Sequence, residues 1–279
     1  MFQKQVIFIV LLFISSFSED TYACESNCVF ENTWAVGLGI GLGNYSNPLH
    51  DGKDRSLSAL PSFYYYGEKL YIENTEIGYV LEENNNWLIS LKGKFNNDGL
   101  YFNESAFDSL IISGLLGPGN FGEPDKVSVN EVDRDYSYLA GLSSKYFLND
   151  NIRFSLAAYH DVTGVHDGYS ITGGTDFIWF RDSWSFQAGV AIEFFDSDLN
   201  NYYYGLREED GTSYLEVKLG SNSNISASAH FAYRLNENFS IIASYSYQKL
   251  GSAMTISPLV EDHHATIFFI GISGQYGSD

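Results

Sequence analysis

The residue types best suited to chemistry fall in a few short runs. His160, Asp161 and His166 lie within Tyr159-His-Asp-Val-Thr-Gly-Val-His-Asp-Gly168. An imidazole beside a carboxylate is the pairing a hydrolase uses to activate a serine. Ser155, however, falls on the opposite face of a strand from His160 by parity, and the chain has no Gly-x-Ser-x-Gly turn. A loop staple fits better, with Asp161 capping a Gly-containing turn and histidine bonding backbone. Glu261, Asp262, His263 and His264 have the types of metal ligands. Adjacent residues seldom converge on one ion without a prebuilt geometry, so a solvated loop tip after Pro258 is expected instead. No catalytic residue, metal or other cofactor is expected. Cys24 and Cys28 suit a local disulfide in an oxidising compartment; lipid modification of Cys24 is the alternative, disfavoured because Thr21-Tyr22-Ala23 lacks the leucine of a lipoprotein signal, and no second cysteine pair completes a zinc site.

A second set of charges interrupts apolar segments: Lys92, Lys94, Arg153, Asp176, Glu193 and Arg234. Trp87, Ile89, Leu91, Gly93 and Phe95 alternate with Ser90, Lys92 and Lys94. Trp184, Phe186, Ala188, Val190 and Ile192 alternate with Ser185, Gln187, Gly189 and Glu193. Period-two alternation means strands with one apolar and one polar face. The charged face suits a hydrated lumen, filled by mutually paired charges or lining a small pore. A further candidate is the acidic, tyrosine-rich stretch around Tyr202, Tyr203 and Tyr204, flanked by Asp196, Asp198, Glu208, Glu209 and Asp210, which would make an exposed binding patch.

These strands belong to a chain of 279 residues with 21 Tyr, 21 Phe, 26 Gly and 5 Pro, a composition that favours β structure. A net charge of -20 excludes nucleic acid, which needs a basic surface to displace counterions. Lys4 followed by the apolar run Val6 to Phe17 and a small-residue site at Ala23 reads as a signal peptide over 1–23. No later stretch is long and apolar enough to cross a membrane as a helix. Residues 24–33 would form a periplasmic segment and 34–279 one domain.

The alternating segments outrun the strands of about five or six residues usual in soluble proteins. Trp87, Tyr146, Trp179, Trp184 and Tyr233 stand at the ends of apolar faces, as interfacial aromatic girdles do. Tight turns at Gly67-Glu68-Lys69, Asn97-Asp98-Gly99, Asn149-Asp150-Asn151, Arg181-Asp182-Ser183 and Asn236-Glu237-Asn238 contrast with long polar segments at 44–56, 103–135, 196–224 and 251–263. The pattern predicts an all-β fold, a closed antiparallel transmembrane barrel of about 10–12 strands in the outer membrane of a Gram-negative cell, with lipid as its surroundings. The glycine column Gly37, Gly39, Gly41 and Gly43 predicts a thin inner wall against which a loop, or Tyr64 and Tyr66, would pack.

Landmarks in order along the chain resemble the MipA/OmpV family of outer-membrane proteins: Trp34-Ala-Val-Gly-Leu-Gly39, Leu60-Pro-Ser-Phe-Tyr-Tyr65, the Tyr159–Gly168 run, Asn201-Tyr-Tyr-Tyr-Gly205, and Leu250-Gly251 through Ser257-Pro-Leu-Val260. The resemblance implies a non-enzymatic barrel that scaffolds a lytic transglycosylase and a murein synthase in the periplasm. A small channel and a loop-mediated adhesin are the alternatives. The chain departs from barrels with a terminal aromatic residue by ending Gln275-Tyr276-Gly277-Ser278-Asp279.

Overall fold

The computed structural model describes residues 6–7, 28–29, 31–102, 120–122, 132–207, 210 and 216–278. The expected leader cleavage site, the Cys24–Cys28 disulfide and the loop residues Glu208 and Glu209 fall outside these residues or their side chains. Twelve antiparallel strands make the wall. They are β1 (Thr33–Tyr45), β2 (Arg55–Tyr66), β3 (Leu70–Glu73), β4 (Glu76–Glu83), β5 (Trp87–Phe95) and β6 (Tyr138–Asn149). The second half comprises β7 (Ile152–Asp161), β8 (Tyr169–Arg181), β9 (Trp184–Phe195), β10 (Asn222–Arg234), β11 (Phe239–Lys249) and β12 (His264–Gly277). Each pairs with its neighbour in the chain, and β12 closes on β1 from Ile267 opposite Tyr45 to Gly277 opposite Ala35. Closure leaves no seam of unpaired backbone for lipid, which has no hydrogen bonds to offer.

Alternation sorts the side chains as the sequence predicts. On β1, Val36, Leu38, Ile40 and Leu42 point outward, Leu42 with 74% of its surface exposed. On β5, Trp87 and Leu91 point outward while Leu88 and Ser90 are buried inside. Aromatic pairs ring the end where the chain begins and ends: Trp34–Tyr276 at 6.1 Å between ring centroids, Trp87–Tyr146 at 4.7 Å and Trp179–Trp184 at 5.7 Å. Tyr169 and Phe194, 6.2 Å apart, stand at the other end. Short turns cluster at the first end and long connections at the second, so the first is periplasmic and the second faces outward.

Two expectations change, and one turn appears that the sequence did not mark. Asn97-Asp98-Gly99 is not a tight turn between strands. It opens a 3-10 turn, Asn97–Tyr101, in which the Asn96 side chain accepts from the Asp98 amide and Leu100 is fully buried. Burial of Leu100 draws the chain in over the barrel mouth instead of returning it along the wall. The segment 70–83 makes two strands. Asn74, at φ +53°, folds it into the short β3–β4 hairpin. The Asn74 amide donates to the Phe63 carbonyl at 2.7 Å, and its side-chain oxygen accepts from the Phe63 amide at 3.0 Å, capping the low hairpin against β2. Two residues further along that edge stands Pro61, which has no N–H to leave unpaired. Further outward, β2 pairs with a short strand, Asn120–Gly122, at Arg55–Leu57. Second, Gly41 and Gly43 of the glycine column are covered by Phe269 of β12, and Gly37 faces Ser62, rather than Tyr64 or Tyr66. A Cβ built on Gly41 would collide with the Phe269 ring and the Ile270 carbonyl. The bare strand is what lets the last strand's ring lie flat against the first.

Candidate functional site

Inside the barrel the polar residues of β3 to β9 converge in a layer of ion pairs. Lys92 is paired with Glu76 across β4 and β5. Arg153 reaches Asp176 with Nε at 2.9 Å and Nη2 at 2.7 Å, and Gln187 donates to the same carboxylate at 3.2 Å. Lys94 lies 3.6 Å from Glu193, which also accepts from Thr172 at 3.2 Å, and sits 4.8 Å above the Tyr159 ring. Tyr66 donates to Glu73 at 2.9 Å. Lys145, opposite buried Leu88 and Ser155 in the two ladders that flank it, faces the same interior. Each carboxylate thus has cations or hydroxyls at hand, as buried charges require. The structure brings together Lys92, Lys94, Arg153, Asp176 and Glu193. It leaves Arg234 apart, at the periplasmic rim, where its guanidinium donates to the Asp182 carbonyl at 3.2 Å. Glu73, Glu76 and Lys145 belong to the layer too, and the parity that Lys145 shares with Ser143 and Phe147 is the signal that places it.

Above this layer the outer loops fold into a cap. A helix, α1 (Ser197–Tyr204), starts at Asp196, whose Oδ1 accepts from the Leu199 and Tyr169 amides at 3.1 Å each. Its Leu199, Tyr203 and Tyr204 are fully buried against Tyr45, Leu49, Leu100, Leu219 and Met254. The expected exposed tyrosine patch is therefore wrong for Tyr203 and Tyr204: helical spacing turns them into the barrel, and only Tyr202 stays partly outside. Tyr204 donates to Asp98 Oδ1 at 2.6 Å. Burial, only partly offset by the Tyr204 hydrogen bond, pushes the Asp98 carboxyl up to about 6. Arg134, almost wholly buried, holds Asp210 through Nη1 at 2.7 Å and Nη2 at 3.0 Å and donates to the Gly205 carbonyl at 3.0 Å. Its guanidinium keeps Asp210 below the usual carboxylate range against the opposing effect of burial. Neither Arg134 nor Asp98 was legible as a site residue, because both sit in loops without periodicity.

The His160–His166 loop is a staple. Asp161 accepts from the Thr163 amide at 2.8 Å and hydroxyl at 2.5 Å, and from the amides of His166 at 2.8 Å and Asp167 at 3.2 Å. His160 points outward, with Nδ1 2.6 Å from the Asp161 carbonyl. A serine does meet a histidine here: Ser137 Oγ is 3.0 Å from His166 Nε2. The Gly168 amide donates to His166 Nδ1 at 2.9 Å, so Nδ1 carries no proton and Nε2 does. Nε2 then donates to Ser137 and has no lone pair with which to take the serine's proton. Burial also lowers the His166 pKa, despite nearby Asp161 and Asp196, which favours the neutral ring. Glu261 pairs with exposed His50 at 2.9 Å, and no cluster of metal-ligating side chains forms among the described residues.

A closed barrel of twelve strands with apolar outer face, aromatic girdles, paired interior charges and a folded outer cap defines the class: an outer-membrane β-barrel protein. The family described as MltA-interacting protein MipA matches residues 36–275, and the chain belongs to it. Among curated relatives, the outer membrane protein Omp26La of Vibrio anguillarum is 26% identical over 98% of this chain and 99% of its own length. Outer membrane protein OmpV of Vibrio cholerae is 23% identical over the same shares, and the putative outer membrane protein YiaT of Escherichia coli K12 is 22% identical over 87% of this chain and 92% of its own. Among solved structures, the KdgM porin is 13% identical with a TM-score of 0.38, covering 87% of this chain and 99% of that one. Likeness at that level says nothing about what passes through the barrel.

Proposed function

We propose that this protein is a non-enzymatic outer-membrane scaffold that docks enzymes of murein turnover, a lytic transglycosylase and a murein synthase, on its periplasmic side. The observation that carries the reading is membership of a family described by its interaction with such an enzyme, MltA. Two features of the interior support it: charges paired with one another and tyrosines of the cap project into the lumen, and the Ser137–His166 contact has the wrong proton arrangement for catalysis. Crosslinking in native envelopes, followed by identification of the captured proteins, tests the proposal. Recovery of a murein hydrolase or synthase is expected; envelopes in which the crosslinked protein yields neither remove the reading.

A small channel is the second reading, favoured by one observation. The side chains of Glu76 and Glu193 keep 24% and 22% of their surface accessible, so the ion layer leaves room for water. Exchange of that water does not require a continuous path, and the cap stands between the layer and the exterior.

A further inference from the structure

Three periplasmic turns carry the same triplet: Asn84-Asn85-Asn86, Asn149-Asp150-Asn151 and Asn236-Glu237-Asn238. In each, the first asparagine's Oδ1 accepts two backbone amides. Asn84 takes those of Asn86 at 3.0 Å and Trp87 at 3.1 Å. Asn149 takes those of Asn151 at 2.9 Å and Ile152 at 3.0 Å, and Asn236 those of Asn238 and Phe239, both at 3.0 Å. The third asparagine's N–H is thereby consumed inside its own turn.

That N–H is also the one the neighbouring hairpin calls for. Trp87 pairs with Tyr146, so Asn86 stands opposite Phe147, whose amide donates to the Asn86 carbonyl at 2.8 Å. The return bond comes from the side chain: Asn86 Nδ2 donates to the Phe147 carbonyl at 3.0 Å. Asn151 repeats this with Ile178, at 2.7 Å in each direction. Asn238 repeats it with Gln275, at 3.0 Å from the amide and 3.4 Å from the carboxamide. At the Arg181-Asp182-Ser183 turn, which has no such asparagine, the extra donor comes from the other side, as Arg234 reaches the Asp182 carbonyl.

We propose that the Asn-x-Asn triplets are register clamps: the first asparagine shapes the hairpin, and the third replaces the backbone donor so spent with its carboxamide, locking the next down-strand at the same rim. A clamp is needed because burial does not police register fully in a lipid-facing wall. A slip of two residues keeps every apolar side chain outward, so the period-two pattern does not penalise it.

The two asparagines are coupled in a way a merely tight turn would not show. Asn86→Ala leaves the Phe147 carbonyl unpaired while Asn84 still holds the residue-86 amide. Replacing Asn84 as well frees that amide for an ordinary ladder bond. Register is read by disulfide formation in the full-length barrel with Cys24 and Cys28 replaced by alanine. Ser90→Cys with Ser143→Cys reports the native register, and Ser90→Cys with Lys145→Cys reports a two-residue slip. We expect Asn86→Ala to raise the slipped product about fivefold, as loss of one hydrogen bond worth roughly 1 kcal/mol implies, and Asn84→Ala/Asn86→Ala to fall back toward the parent. Native crosslinks alone in Asn86→Ala, or a double variant worse than the single, overturn the proposal. If Asn86→Ala does not assemble, the same comparison is made at Asn151→Ala against Asn149→Ala/Asn151→Ala, with the crosslinking pair moved to that hairpin.

Discussion

The ion layer and the tyrosine cap occupy the inside of one cylinder, yet they are held by different means and on different elements. The layer is carried by wall strands, so each charge is aimed by the pleat, whether its partner lies across one ladder, as for Lys92 with Glu76 and Arg153 with Asp176, or across the lumen, as for Lys94 with Glu193. The cap is carried by loops, and its order comes from burial of Leu199, Tyr203 and Tyr204 plus a few side-chain bonds to the rim. A rigid wall can tolerate charges inside because it fixes their geometry before they meet. Loops cannot, so the cap is built mainly of apolar and aromatic groups, with its strongest charges, Arg134 and Asp210, neutralising each other. The layer should therefore unfold only with the barrel, whereas the cap should open on its own.

Breaking the wall should abolish both. Gly41→Val places methyl groups where the Phe269 ring and the Ile270 carbonyl already stand, so no heat-resistant folded band is expected on a gel. Gly220→Ala, which meets nothing within 4 Å, should run as the parent. Next in size, Lys92→Met leaves Glu76 without its cation. A loss of about 3 kcal/mol in the urea unfolding of the whole barrel is expected, with most of it recovered when Glu76→Gln is added. Tyr204→Phe removes the bond to Asp98 and should weaken the cap alone by about 1 kcal/mol. Limited proteolysis should then cut the outer loops sooner while the urea midpoint of the barrel stays put; an equal shift of that midpoint would erase the distinction between the two regions.

The smallest effect is one of pH. Asp98 titrates near 6 in the folded cap, against about 3.9 in an unfolded chain. A raised folded value means that its contribution is fully present below the unfolded value and is lost as pH rises through about 6. Proteolysis of the cap should therefore slow as pH falls from 7 toward 5, and Asp98→Asn should flatten that dependence.

The same contrast explains what could be read in advance. Period-two alternation is a local property of a strand, so the wall, its outward face and the inward Lys92, Lys94, Arg153, Asp176 and Glu193 were legible residue by residue. The Asn74 turn escaped because no glycine or proline marks it; an asparagine in the left-handed region does the work. The cap escaped because α1 is one short helix whose burial depends on loops distant in sequence, so three consecutive tyrosines looked like surface. Asp98 was hidden by the same long-range packing, since its partner lies 106 residues away. The histidine loop was legible as a staple because its partners lie within a few residues of Asp161, whereas the Ser137–His166 contact spans 29 and was not.

At the centre of the account stands the proposal that paired charges below and tyrosines above close the barrel to solutes. Planar-bilayer recording of the purified, folded protein at neutral pH tests this most directly. A bilayer that stays silent while heat-modifiable protein is shown to be inserted is the expected result; reproducible unitary conductance steps from the unmodified chain would contradict it and make the barrel a channel.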